Sequence, residues 1–280
     1  PSGEVNFQTM TRGNPNAKYV YGVDPASEVD NFSIIVLELH EDHSRIVYCW
    51  TTNRGMHKEE LKKGLATEMD FYSYCARKIR DLMKTFPCEE IALDAQGGGI
   101  AILEALHDPD KMNEGELPMW PTIDENKEKD TDGEAGLHVL EMIQFAKSDW
   151  VTEANHGTRK DFEDKVLLFP YFDSATLGLA IADDKLRDRY YNTLEDSIME
   201  IEELKDELAM IIMSQTPSGR DKWDTPEVKL PGGRKDRLRK DRYSSLIMAN
   251  MSARRLRRNP PPDPYEIVGG FAMDSEFKSK

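Results

Sequence analysis

Residues 18–51 read KYVYGVDPASEVDNFSIIVLELHEDHSRIVYCWT, and this stretch decides the fold. It holds three apolar, β-branched runs: Lys18–Asp24, Phe32–Leu39 and residues 45–51. Their connectors are short and polar, so the runs should pair as antiparallel neighbours through hairpins. The first run closes on a carboxylate, Asp24. An acidic side chain in a strand that is otherwise apolar is costly unless paired or metal-bound.

Downstream, residues 68–86 place Tyr72, Cys75, Ala76, Ile79, Leu82, Met83 and Phe86 at steps of three and four. That is the stripe of an amphipathic helix, and Pro87 ends it. Residues 90–95 (EIALDA) form a fourth strand, again closing on an aspartate, Asp94. Gln96 and three glycines at 97–99 follow, then a short helix with Ile102, Leu103 and Leu106 on one side. A strand reached through a crossover helix usually lies parallel to an earlier one. The fold class is therefore α/β: a mixed sheet of three antiparallel strands and then parallel strands, flanked by helices. Ordered structure resumes at 137–145, and residues 165–170 read as a fifth short strand. Residues 193–213 form a helix with Leu194, Ile198, Ile201, Leu204, Leu208 and Ile211 on one face. Asp241 precedes a last helical run, 243–256.

Composition bounds the function. Of 280 residues, 39% are hydrophobic and 32% charged, which suits a folded globular chain. The net charge of −15 excludes a surface coated in positive charge, but not a local basic face. Residues 220–258 supply such a face, with thirteen Lys or Arg against five Asp or Glu. Residues 108–135 do the reverse, with ten acidic and three basic residues and several prolines. They read as a solvent-exposed insertion. The expected organisation is a loose lead-in over 1–17, one domain over 18–258 containing that insertion, and a loose tail over 259–280. No apolar run reaches the roughly 18–20 residues of a membrane helix, and no signal peptide opens the chain. Cys49, Cys75 and Cys88 lack metal or redox spacing and sit in apolar patterns, so they read as reduced core residues.

Asp24, Asp94 and Asp241 are the candidates for chemistry. If the first and fourth strands lie side by side and parallel, Asp24 and Asp94 emerge at one edge, and a late helix can deliver Asp241. Three hard carboxylates suit Mg²⁺ or Mn²⁺ and two-metal phosphodiester hydrolysis. Singly, each aspartate is more often a turn residue or helix cap; the signal is their order on the strand and helix frame. The six histidines show no HExxH spacing, and there is no GxSxG elbow. Gly97–Gly99 lack the Lys-Ser/Thr pair of a phosphate cradle and read as a tight turn.

This frame resembles the RNase H-like (retroviral integrase) superfamily. More narrowly, YGVDPASEVDNFSIIVLEL (21–39) resembles the opening strands of the nuclease domain of large terminase subunits, the genome-packaging motors of tailed bacteriophages. IALDAQGGGIAILEAL (91–106) is similar to that family's second acidic strand, and KDRYSSLIMAN (240–250) to its closing acidic motif. VLLFP (166–170) and IEELKDELAMI (201–211) fit the path between them.

The resemblance implies a nuclease that cuts double-stranded DNA with little sequence specificity during packaging. Its catalytic, metal-binding carboxylates would be Asp24, Asp94 and Asp241, with Asp30 as a further acidic residue near them; Asp236 is the alternative to Asp241. Two divalent ions, Mg or Mn, are implied. Arg234, Lys235, Arg237, Arg239, Lys240 and Arg242 would meet the DNA phosphates. The implied partners are double-stranded DNA, a packaging ATPase domain of the same full-length protein, the portal and the small terminase subunit, with no membrane. The implied location is the cytoplasm of the infected bacterial host. The missing ATPase motif and the opening Pro1 suit a domain excised from a longer protein. Two rivals stay open: a junction-resolvase or transposase-like nuclease, and a non-catalytic RNase H-like module that docks DNA or a portal.

Overall fold

The computed structural model describes residues 5–25, 30–123, 135–172, 193–217, 219–229 and 235–259, with scattered positions between 175 and 182. Its main sheet takes strands β1 (Lys18–Asp24), β2 (Phe32–Leu39), β3 (Ser44–Thr52), β4 (Cys88–Asp94), β5 (Met119–Pro121), β6 (Leu137–Ile143) and β7 (Leu167–Leu168). The order across the sheet is β5-β6-β4-β1-β2-β3-β7. Strands β1, β2 and β3 are antiparallel neighbours, and β4 lies parallel to β1. Strand β6 continues parallel to β4. The sheet is the mixed one expected from residues 18–106.

Alternation along β1 divides the core. Tyr19, Tyr21 and Val23 point into one apolar cluster with residues of α2 (Phe71–Thr85) and α3 (Gly99–His107). Val20 points the other way, toward Ile201 and Leu204 of α5 (Leu194–Met210) and Leu246, Ala249 and Ala253 of α6 (Asp241–Arg258). Each fully buried Leu or Ile contributes about 1.5–3 kcal/mol, so helices clamp both faces. Helix α6 lies close on β1. A Cβ on Gly22 would fall 1.8 Å from the carbonyl oxygen of Ser245. Only glycine permits that approach.

Helix α2 starts one turn later than the pattern suggested, because Asp70 caps it by accepting from the Ser73 N–H. Among the elements described in full, the helices α1 (Arg54–Lys63) and α4 (Ser148–Glu163) escaped the sequence reading. So did two small hairpins, β8 (Ile212–Gln215) with β9 (Asp221–Asp224) and β10 (Glu227–Lys229) with β11 (Lys235–Arg237). The lead-in has no regular element in residues 5–17, yet it is tied down where composition suggested fraying. Phe7 is buried, Met10 N donates to Val47 O at 2.8 Å, and Gly13 N to Thr85 O at 2.9 Å. The first half of the acidic insertion is likewise anchored. Met119 is buried, and Glu116 pairs with Arg77 at 2.6 Å and Lys84 at 3.1 Å. Residues 124–134 of the insertion and 260–280 of the tail lie outside the described residues. Among the described residues, no helix is long and apolar enough to cross a membrane. Cys49 and Cys75 are buried and Cys88 is half-buried, all as free thiols.

Candidate active site

Strands β1 and β4 run in register with Val23 beside Leu93, so Asp24 and Asp94 close the two strands side by side. Neighbouring strands lie ~4.8 Å apart. Period-two alternation gives Asp24 the side of Gly22 and Asp94 the side of Ala92. That is the face α6 covers, since Ala92 packs against Met248. Asp241 opens α6 at the same rim.

Hydrogen bonds lock these pieces together. Asp24 N donates to Ser245 Oγ at 3.2 Å, and the Ser245 hydroxyl donates to Ser33 O at 3.1 Å. Asn31 N, just ahead of β2, donates to Asp241 Oδ2 at 3.0 Å. Gln96 N donates to Asp94 Oδ1 at 3.0 Å. The glycine turn fits this crowding: Gly97 sits at φ +57°, and a Cβ on Gly99 would lie 1.9 Å from Asp94 O.

The rim is electrostatically frustrated. Burial, then the like charges of Asp241 and Asp94, push the Asp24 carboxyl well above the usual carboxylate range, with Asp30 adding to the rise. Burial also raises Asp94. It raises Asp241 as well, against the Asn31 hydrogen bond and the charges of Arg239 and Arg242. Crowded oxygen donors whose charge is not compensated by the protein match a hard divalent cation. Among the described residues, no three His, Cys, Asp or Glu side chains form a ready cage for one ion. Magnesium does not require one: it is usually bound through one or two carboxylates plus waters and substrate phosphate. The donor set therefore fits.

Beneath the rim, the Arg242 guanidinium is committed inward. Its Nε donates to Glu200 Oε2 at 2.6 Å and its NH1 to Glu207 Oε1 at 2.7 Å, and the side chain is only 12% exposed. Expected at the phosphate surface, Arg242 instead holds α5 to α6. Glu207 also accepts from Tyr243 N at 2.9 Å, fixing the first turn of α6. The other cations divide. Lys240 donates to Trp223 O at 2.9 Å and faces Asp224 at 3.4 Å. Arg237 pairs with Asp224 and Glu227. Arg239 is exposed and donates to Asn31 Oδ1 at 2.6 Å. Lys235 lies in β11, but its side chain and that of Asp236 fall outside the described residues, as does Arg234. Sequence reasoning missed Asn31, Ser245 and Glu207. A glycine inside an apolar strand at position 22 was the one signal that a helix would press there.

This fold, a seven-stranded mixed sheet whose neighbouring strands end in carboxylates under a closing helix, is shared with a solved large terminase nuclease. The large terminase nuclease of the thermophilic phage G20c with bound magnesium superposes with a TM-score of 0.51 over 88% of this chain and 92% of that one, at 16% identity. The same nuclease with bound cobalt gives 0.50 at 16% identity, over the same shares of the two chains. No family model matches the sequence, and no curated protein does.

Proposed function

We propose that this chain is the nuclease domain of a viral DNA-packaging motor, a metal-dependent endonuclease acting on double-stranded DNA. The observation that carries the reading is the in-register pair Asp24 and Asp94, with Asp241 brought to the same rim by α6. Asp24, Asp94 and Asp241, with Asp30 beside them, would hold two Mg²⁺ or Mn²⁺ ions. Such ions supply activation of water and charge neutralisation at phosphorus. The magnesium and cobalt bound by the G20c nuclease support a divalent cation here.

The chain's own part is positional. Ser245 and Asn31 fix the strand ends and Asp241, and the short turn at 97–99 brings α3 against Asp94. Arg237, Arg239 and Lys240, with Arg234 and Lys235, would meet backbone phosphates, which carry no sequence information. Cutting should therefore be nearly sequence-neutral, by in-line attack leaving a 3′-hydroxyl and a 5′-phosphate. On the same reading, the chain works beside a packaging ATPase domain, a portal and a small terminase subunit in the cytoplasm of an infected bacterium.

The test is plasmid cleavage by the purified chain with Mn²⁺, Mg²⁺ or EDTA, beside Asp94→Ala. Metal-dependent cutting should fall at least a hundredfold in the variant. Cutting that survives Asp94→Ala sinks the site assignment. A strong preference for branched DNA would turn the reading to a junction resolvase. DNA binding without cutting under any metal would turn it to a docking module.

A further inference from the structure

Asn31 stands between the carboxylate rim and the basic segment, and its two halves do different work. Its backbone N–H donates to Asp241 Oδ2 at 3.0 Å. Its side-chain oxygen accepts from Arg239 NH1 at 2.6 Å and from Asn53 Nδ2 at 3.1 Å. Asn53 is itself fixed, because its Oδ1 caps α1 by accepting from Gly55 N and Met56 N, each at 3.0 Å. An amide oxygen has two lone pairs, so both are engaged here. One of them meets a cation in a short, charge-assisted bond.

An exposed arginine ordinarily keeps its rotamer freedom. Arg239 is exposed, yet it is tethered to the residue whose backbone also fixes Asp241. Arg237 and Lys240 differ: both face the hairpin carboxylate Asp224. Among the described side chains of the basic segment, Arg239 is thus the cation that the fold ties to the rim through Asn31.

We propose that Asn31 is a positioning residue that ties Arg239 to the carboxylate rim, so that the guanidinium meets a backbone phosphate of bound duplex beside Asp241. The proposal rests on the DNA-acting reading above, but its readout is binding rather than cutting. The probe is a short blunt DNA duplex followed by fluorescence anisotropy in EDTA over a series of salt concentrations. Arg239→Ala should weaken binding and lower the slope of log K against log salt by about one, as loss of one phosphate contact does. Asn31→Ala should weaken binding about three- to tenfold with the slope kept, because the charge remains and only its placement is lost. The double variant should bind no more weakly than Arg239→Ala alone. Asn53→Ser keeps a capping oxygen and removes the amide donor, so it should shift affinity in the same direction by less.

Losses that add in the double variant would overturn the proposal. So would an Asn31→Ala chain that binds like the parent, or one whose melting temperature falls in step with its affinity. If Asn31→Ala does not fold, an Asn53→Ser chain with unchanged affinity overturns it too. A parent chain that binds the duplex but never cuts it would remove the nuclease reading and leave this one standing. A parent chain that does not bind the duplex would end both.

Discussion

At Gly22 there is no room for a methyl group. The Cβ of an alanine would lie 1.8 Å from Ser245 O and 2.8 Å from Ala249 N, both backbone atoms of α6. Gly22→Ala should cost about 3 kcal/mol of stability, read as a drop of roughly 6–12 °C in thermal melting. Cleavage should fall further than the lost folded fraction explains, since α6 carries Asp241. The sequence exposed Asp24 and Asp94 because a carboxylate closing an apolar strand breaks its pattern. It could not expose Asn31 or Ser245, whose roles rest on one backbone N–H and one hydroxyl and leave no trace in hydropathy. Arg242 misled for a related reason. A run of basic residues states charge and not direction, and this one points inward to Glu200 and Glu207.

Among the elements, legibility followed apolar content. Helix α2 buries Phe71, Cys75, Ala76, Ile79 and Leu82, and its period was plain. Helix α1 buries only His57, although Asn53 and Gly64 mark its two ends. Helix α4 buries Asn155, Thr158 and Asp161 beside small residues, and Asp161 serves Arg254 and Asn250 of α6. A face recognised through hydrogen bonds has no hydrophobic period to read. The contact of α5 with α6 depends on the paired Arg242. Arg242→Ala should cost about 3 kcal/mol in urea unfolding, because the buried Glu207 and the half-buried Glu200 lose their partner. It should leave the salt slope of DNA binding unchanged. The β8–β9 hairpin makes the opposite prediction. Asp224 faces Lys222 at 3.1 Å and Lys240 at 3.4 Å, and it pairs with Arg237. These are cations that a phosphate would otherwise take. Asp224→Asn should tighten duplex binding about three- to tenfold at low salt, with the gain shrinking as salt rises.

Across the whole molecule, one buried cluster sets a pH dependence. Burial and the neighbouring Glu141 push the Glu90 carboxyl up to about 7, despite its ion pair with Arg255. The native chain therefore keeps a proton that the unfolded chain releases near 4.5. Stability contributed by that proton is present at low pH and is lost as pH rises from about 4.5 to 7, on the order of 1–3 kcal/mol. Glu116 works in a lower window. It is held down to about 2, with Arg77 the main stabilising partner, so its contribution fades only as pH falls below about 4.5. Urea unfolding at pH 5, 6, 7 and 8 separates the two. Glu90→Gln should gain on the parent chain between pH 5 and 7 and hold that gain at pH 8, and a gap that stays constant from pH 5 would reject the assignment.

The seam between β1 and α6 has one more consequence. Asp24 and Asp94 are brought together by an early strand–helix–strand unit, whereas Asp24 meets Ser245 across 221 positions of chain and Asn31 meets Asp241 across 210. On a ribosome, the two strand aspartates are made well before α6 leaves the exit tunnel. The rim stays chemically incomplete while the stretch between Asp94 and Asp241 is made. It becomes whole only when Asp241 docks, after the rest of the sheet already exists to receive it.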